Sequence, residues 1–254
     1  MCKDKPSVSI IMATFNSSLY LLETVQSIIN QSYEDWELLI TDDCSTDDTY
    51  EHLLKLAKQH ENIYVMKNSV NSGAAVARNN SIDKSKGRYI AFLDSDDLWY
   101  PEKLKHHLSF IEQNSAALSF TSYALINEHS EPLDKVVDKE DLGWINYEDL
   151  LRKKATLGCS TVVVDRKKIG DFKMPSLRTG QDYATWLQLI KISGAALHYP
   201  KVLTSYRITP GSISRNKIKK AKRQWQIYRV QERLNVFKAT ICFCYYAFRA
   251  VFRR

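Results

Sequence analysis

Paired cysteines, a long apolar run and repeated segments are all missing from this sequence of 254 residues. The five cysteines, Cys2, Cys44, Cys159, Cys242 and Cys244, are odd in number and scattered. None has the spacing of a zinc site or a CxxC motif, so free thiols in a reducing compartment are expected. The opening MCKDKPSVSI holds no apolar stretch long enough for a signal peptide, which predicts a chain that stays in the cytosol. No internal repeat or low-complexity segment interrupts it. What remains is ordinary for a folded soluble protein, with 44% hydrophobic and 26% charged residues. The length suffices for one substantial core and sits near the limit at which single domains divide.

Charge is unevenly spread. From Arg215 to Arg254 twelve Lys and Arg stand against one acid, Glu232, a local +11, so residues 1–214 carry −4 of the chain's net +7. A neutral-to-acidic domain therefore ends in a strongly basic tail, and the two require separate explanations.

The first hundred residues alternate strand and helix. Apolar runs at 8–12, 37–40, 63–66 and 89–93 predict strands, and residues 19–29, 50–60 and 74–82 carry helical spacing. Continuously apolar strands joined by helices imply a parallel sheet covered on both faces, with right-handed crossovers. Ligands bind such sheets beyond the carboxyl ends of the strands. Those ends are polar here: Thr14 and Asn16, then Asp42 and Asp43, then Asn68 and Asn71, then DSDD at 94–97. Any one of them is equally a strand end or helix cap; four together point to a site. Further on, the pattern predicts a helix over 101–113, a strand over 117–126, a polar loop over 127–141, a strand over 159–164, a helix over 183–192 and a last strand over 203–207.

The strongest local signal is the strand 89–93 running into Asp94, Ser95, Asp96 and Asp97. Like charges so close repel, and a cation relieves them. Carboxylate oxygens suit Mg²⁺ or Mn²⁺ bridging to substrate phosphates, where the metal stabilises a departing diphosphate; the alternative is a polar turn capping the next segment. In DDCSTDD at 42–48 helix capping accounts for Ser45, Thr46 or Asp47 and leaves Asp43 free to accept from a base or a ribose. Gly73 opens a helix where backbone can approach a ligand. Arg78, on the first turns of that helix, suits a diphosphate or base contact and equally a structural or solvent-facing charge.

Together VSIIMATFN at 8–16, DDCSTD at 42–47, NSG at 71–73 with ARN at 77–79, DSDD at 94–97, RTGQDYATW at 178–186 and YR at 206–207 resemble the family-2 glycosyltransferases of GT-A fold. The likeness extends to those of bacterial teichuronic acid and surface-polysaccharide assembly, and there into the tail. It implies an α/β fold, a Rossmann-like, mostly parallel sheet with helices on both faces, followed by basic amphipathic helices at the C-terminus. Residues 1–100 would form the nucleotide-sugar half, 101–214 the acceptor half of the same domain, and 215–254 the tail. The resemblance further implies an inverting transferase with a UDP-sugar donor and a lipid-linked glycan acceptor. Thr14, Phe15 and Asn16 would line the nucleotide pocket, Asp43 would bind the base and Asp94 the ribose, with Gly73, Arg78 and Ser95 beside them. Asp96 would ligate Mn²⁺ or Mg²⁺, and Asp182 would be the catalytic base, at the start of an amphipathic helix where Asp also serves as an N-cap.

Two positions depart from the family pattern. Gln181 replaces a common Glu before the base, and Thr209 stands where many members carry a histidine near the metal. These departures sustain a rival, a catalytically silent nucleotide-binding scaffold. A nucleotidyltransferase is disfavoured, because the segment after the first strand lacks a glycine-rich basic loop. In the tail, cations interleave with Trp225, Ile227, Tyr228 and Leu234, and an apolar stretch at 239–248 is about half of the roughly 20 residues that span a bilayer. Such a helix suits an anionic membrane surface on the cytoplasmic face; packing on the domain or on a second copy in a homodimer is the alternative. No recognition fold for nucleic acid precedes it.

Overall fold

The computed structural model describes residues 6–209 and 217–252. Cys2, the boundary at 214, Arg215 and the terminal Arg253 and Arg254 lie outside the described residues. Strands β1 (Val8–Thr14), β2 (Trp36–Asp42), β3 (Ile63–Lys67) and β4 (Tyr89–Phe92) alternate with helices α1 (Ser18–Ile29), α2 (Thr49–Gln59) and α3 (Ala74–Lys84). β1 pairs in parallel with β2 and with β4, and β2 with β3. Every residue of β2 and β4 is buried, as strands covered on both faces must be. The register sets Thr14 opposite Asp42, and the chain beyond β4 leaves on the same edge, so the sheet itself gathers the polar strand ends.

The second half makes the sheet mixed. It adds β5 (Leu98–Trp99), α4 (Lys103–Gln113), β6 (Leu118–Ile126), β7 (Pro132–Val137), β8 (Trp144–Asn146), α5 (Tyr147–Leu151), β9 (Val162–Asp165), α6 (Arg166–Ile169), α7 (Gln181–Ser193) and β10 (Ala195–Arg207). Strand order is β3-β2-β1-β4-β9-β6-β10-β5, with β7 beside β6 and β8 beside β10. β9 enters antiparallel between β4 and β6, and β6 runs parallel to β10. Several boundaries differ from the sequence expectation. The polar stretch 127–141 holds β7, which folds back on β6 through a turn at Ser130; its exposed edge position gave no apolar pattern. The last strand begins at Ala195 rather than 203, its polar middle being a bulged stretch opposite β6. Residues 159–161 form a 3₁₀ turn before β9.

Alternate residues of the central strands feed two apolar layers. Ile10, Met12, Leu38 and Ile40 meet α1, α2 and α4 through Leu21, Val25, Leu53, Leu104 and Leu108. Ile11, Leu39, Ile90 and Phe92 face α3 and α7, where Trp186 is fully buried and packs edge-on to Phe92 at 5.3 Å. The tail joins this second layer. After α8 (Lys217–Gln226), a π-helical turn at Ile227–Gln231 buries Ile227 and Tyr228, whose hydroxyl donates to the Leu151 carbonyl at 2.5 Å. Ala239 and Cys242 of α9 (Val236–Phe252) continue the same packing. No described helix is long and apolar enough to cross a membrane.

At the opposite end of the sheet Gly87 is wedged against β1. Its N–H donates to Ser9 Oγ at 2.8 Å, and a Cβ there would lie 2.6 Å from the Ser9 nitrogen and 2.7 Å from the Val8 carbonyl carbon. Backbone cannot yield as a side chain does. Gly87→Ala is therefore expected to destabilise the protein by about 1–3 kcal/mol, measured as a lowered urea midpoint at unchanged slope; an unaltered midpoint would refute the wedge.

Candidate active site

The four residues after Leu93 turn inward from the carboxyl edge of the sheet. Asp97 is buried and accepts from Ser160 Oγ at 2.5 Å and from the Arg207 backbone N–H at 2.9 Å. Arg207, 2% exposed at the end of β10, spreads its guanidinium across the same turn. Nε donates to the Asp96 carbonyl at 2.7 Å, Nη1 to Ser130 Oγ at 2.8 Å and Nη2 to Glu23 Oε2 at 2.8 Å. Ser95 is tied to α1, its hydroxyl 2.8 Å from Ser17 Oγ and its carbonyl accepting from Thr24. Burial, and then the charge of Asp94, push the Asp96 carboxyl up to about 6; burial and both neighbouring acids raise Asp97 well above the ordinary range.

Asp94 takes a different partner. Arg78 Nη2 donates to its Oδ1 at 2.5 Å, and Arg78 is 5% exposed. Arg78 is thus not solvent-facing; it lies inside, in the second turn of α3. Burial opposes its charge, but Cys159, Asp94 and Asp182 around it hold the guanidinium's pKa above its ordinary value. The same arginine therefore lies within the electrostatic reach of Asp94 and of Asp182. Its Nε and Nη1 are buried without a hydrogen-bond partner, as are Asn71 Oδ1 and Gln181 Oε1. Folded proteins rarely leave such groups unpaired. Unpaired donors and acceptors such as these are what a polar ligand would satisfy.

Asp43 is buried at the end of β2 and accepts from Asn68 Nδ2 at 2.7 Å, Ser72 N–H at 2.9 Å and Gly73 N–H at 2.6 Å. A carboxylate accepts about four hydrogen bonds, so Asp43 shapes the 68–73 loop and keeps capacity for one more. Gly73 makes this possible: at φ +93° it opens α3 in a conformation that side chains disfavour. Thr14 is buried and its hydroxyl donates to Asp42 at 3.3 Å. Phe15 is exposed, and Asn16, at φ 49°, accepts from Thr46 N–H at 2.9 Å, closing the loop after β1 onto the loop after β2. Asp182 is not a helix cap: Gly180 holds that position, and Asp182 lies in the first turn of α7. The structure thus brings Asp43, Gly73, Arg78, residues 94–97 and Asp182 to one edge.

Sequence patterns gave no sign of Ser160, which lies in a 3₁₀ turn yet donates to Asp97 while its carbonyl accepts from Trp99 Nε1 at 2.8 Å. Arg207 appeared only as part of a motif, and its clamp role needed the fold. Among the described residues no group of three or more His, Cys, Asp or Glu gathers into a closed cation site. Asp96 is nevertheless a hard oxygen donor, its carboxyl raised by burial and then by the charge of Asp94. A single such donor fits a divalent cation completed by phosphate oxygens and water.

Comparison with known proteins gives the family and the fold. Residues 9–167 match the model of glycosyl transferase family 2. The chain is 45% identical over 250 residues, 98% of each sequence, to a putative teichuronic acid biosynthesis glycosyltransferase of Bacillus subtilis. It is 36% identical over 221 residues, 87% of this chain and 84% of the relative, to the UDP-Glc:alpha-D-GlcNAc-diphosphoundecaprenol beta-1,3-glucosyltransferase WfgD of Escherichia coli. Similar solved folds include S. aureus TarS in complex with UDP, at TM-score 0.73 and 20% identity over 96% of this chain and 71% of that one. Another is the mannosyltransferase PcManGT of Pyrobaculum calidifontis with GDP-Man and Mn²⁺, at TM-score 0.70 and 17% identity over 98% and 71%. The sheet and its helices are those of a GT-A fold, and the chain belongs to glycosyltransferase family 2.

Proposed function

We propose that the chain is an inverting, metal-dependent transferase moving a sugar from a UDP-sugar to a lipid-linked glycan acceptor in bacterial surface-polysaccharide assembly. The observation that carries this is Arg78, buried against Asp94 and within electrostatic reach of Asp182, with Nε and Nη1 unpartnered. A guanidinium desolvated and unsatisfied at the carboxyl edge of a parallel sheet suits the diphosphate of a sugar nucleotide. Asp43 and the loop after β1, with Thr14, Phe15 and Asn16, would hold the base, and Asp94 with Ser95 the ribose. Asp96 would hold Mn²⁺ or Mg²⁺, which neutralises charge on the departing diphosphate when bound. Donor and acceptor classes come by analogy from the relative named for UDP-Glc and a diphosphoundecaprenol-linked sugar.

In the reaction the acceptor hydroxyl oxygen bonds to the anomeric carbon as that carbon's bond to the diphosphate breaks from the opposite face. UDP leaves with the electron pair, and the hydroxyl proton passes to the Asp182 carboxylate. Base assistance of this kind is worth about 10²–10⁴ in rate. Asp182→Asn is accordingly expected to lower transfer of radiolabelled sugar by at least about 10² while UDP affinity stays at the wild-type value. Full activity would remove Asp182 from the role; transfer absent from the wild-type protein with every acceptor would favour the silent scaffold.

The tail supports a peripheral seat on the cytoplasmic face of the membrane. α9 packs inward through Ala239 and Cys242 and leaves Phe237, Ile241, Tyr245 and Phe248 exposed at helical spacing. Arg152 lies over Tyr245, and Lys238 pairs with Glu148 beside it. Aromatics flanked by cations suit the headgroup boundary of anionic lipid. Because Ile227 and Tyr228 belong to the core, removing the whole tail would unfold the domain, and surface variants make the better test. Phe237→Ser with Phe248→Ser should reduce co-sedimentation with anionic vesicles about tenfold or more; retained binding would leave α9 without this role.

A further inference from the structure

A cavity of about 370 Å³ lies between α8 and the loop that leads into α7. Arg178 enters it from the loop, and Lys219, Lys222 and Arg223 from α8, while no Asp or Glu lines it among the described residues. Its apolar lining is Leu177 and Ile227, the latter 1% exposed. The packing is close, for a Cβ on Gly180 would lie 2.9 Å from Arg223 Cδ and 3.0 Å from Ile227 Cδ1. Like charges held together this way repel. An anion in the cavity would relieve that repulsion.

Position tells which anion. Thr179 lines the cavity, Gly180 touches Arg223, and Asp182 follows in the first turn of α7. On the other side Arg178 Nη1 lies 3.7 Å from where a Cβ on Gly73 would be, and Gly73 N–H holds Asp43. The cavity therefore adjoins the proposed base at the start of α7, outside the turn of residues 94–97. An acceptor whose first sugar is joined at C1 to a lipid diphosphate carries its anion one hexose away from the hydroxyl that reacts. We propose that this basic cavity binds the diphosphate of such an acceptor and so sets that hydroxyl over Asp182. The proposal rests on the transferase function stated above and adds to it a subsite separate from the donor's.

Binding tests it without requiring transfer. The full-length protein is titrated calorimetrically with an N-acetylglucosaminyl diphosphate bearing a short water-soluble alkyl chain. The matching alkyl glycoside without diphosphate, and UDP with Mn²⁺, are titrated alongside. Wild type should bind the diphosphate at least about tenfold more tightly than the glycoside, since charge-assisted hydrogen bonds are lost without it. Lys222→Glu should lose at least about tenfold in diphosphate affinity and keep wild-type UDP affinity. Arg178→Gln, a change on the opposite wall, should do the same, so that misfolding of one variant does not decide the matter. Equal binding of glycoside and diphosphate, or wild-type diphosphate affinity in both variants, would overturn the proposal. Loss of UDP affinity instead would give the cavity to the donor and overturn it likewise. Should these results hold while Asp182→Asn retains full transfer, the subsite stands and the base assignment falls.

Discussion

Three carboxylates within four residues at the end of a buried strand cannot all stay charged without compensation. Much of this fold is arranged around that constraint. Asp97 is held by hydrogen bonds from Ser160 and the Arg207 backbone, while burial and its two acidic neighbours raise its carboxyl well above the ordinary range. Asp94 is paired with Arg78. Asp96 is held through its main-chain carbonyl, which accepts from Arg207 Nε, and its carboxyl stays raised toward neutral pH by burial and then by Asp94, against the charges of Arg207 and Arg78. It is the carboxylate of the three proposed to engage a substrate-bound cation.

The elements that supply the compensating groups come from distant parts of the chain. Arg207 is 111 residues from Asp96, and Ser160 is 63 from Asp97. The antiparallel insertion of β9 beside β4 is what brings Ser160 beneath the turn, and β10 carries Arg207 over it. Gly73 and Asp43 close the neighbouring loop in the same way, through backbone N–H groups. Around this rigid edge the tail does two things at once: its Ile227 and Tyr228 complete the core, and its cations border the start of α7.

The parallel half was legible in the sequence because buried strands and amphipathic helices leave strong periodic signals, and each polar strand end marked the site edge. Asp43, residues 94–97 and Asp182 could be named from their chemistry and their family motif. Ser160 could not, since a serine in a short turn resembles any other until the strand after it pairs. β7 was hidden for a related reason: exposed on an edge, it carries no apolar face. For Arg78 the sequence left a ligand contact, a structural charge and a solvent-facing one open, because an arginine on a helix is ordinarily solvated and only the packed structure shows its desolvation. The alternative reading of Asp182 as an N-cap does not hold, because Gly180, in a left-handed conformation, occupies that position.

The central claim is that Asp96, the unclamped carboxylate, ties a sugar nucleotide's diphosphate through a divalent cation. Calorimetric titration of UDP into the wild-type protein and Asp96→Ala, each with and without Mn²⁺, tests it most directly. Wild type should bind UDP at least about tenfold more tightly with the metal, and the variant should show no metal effect. Metal-independent UDP binding, equal in the two proteins, would contradict the account.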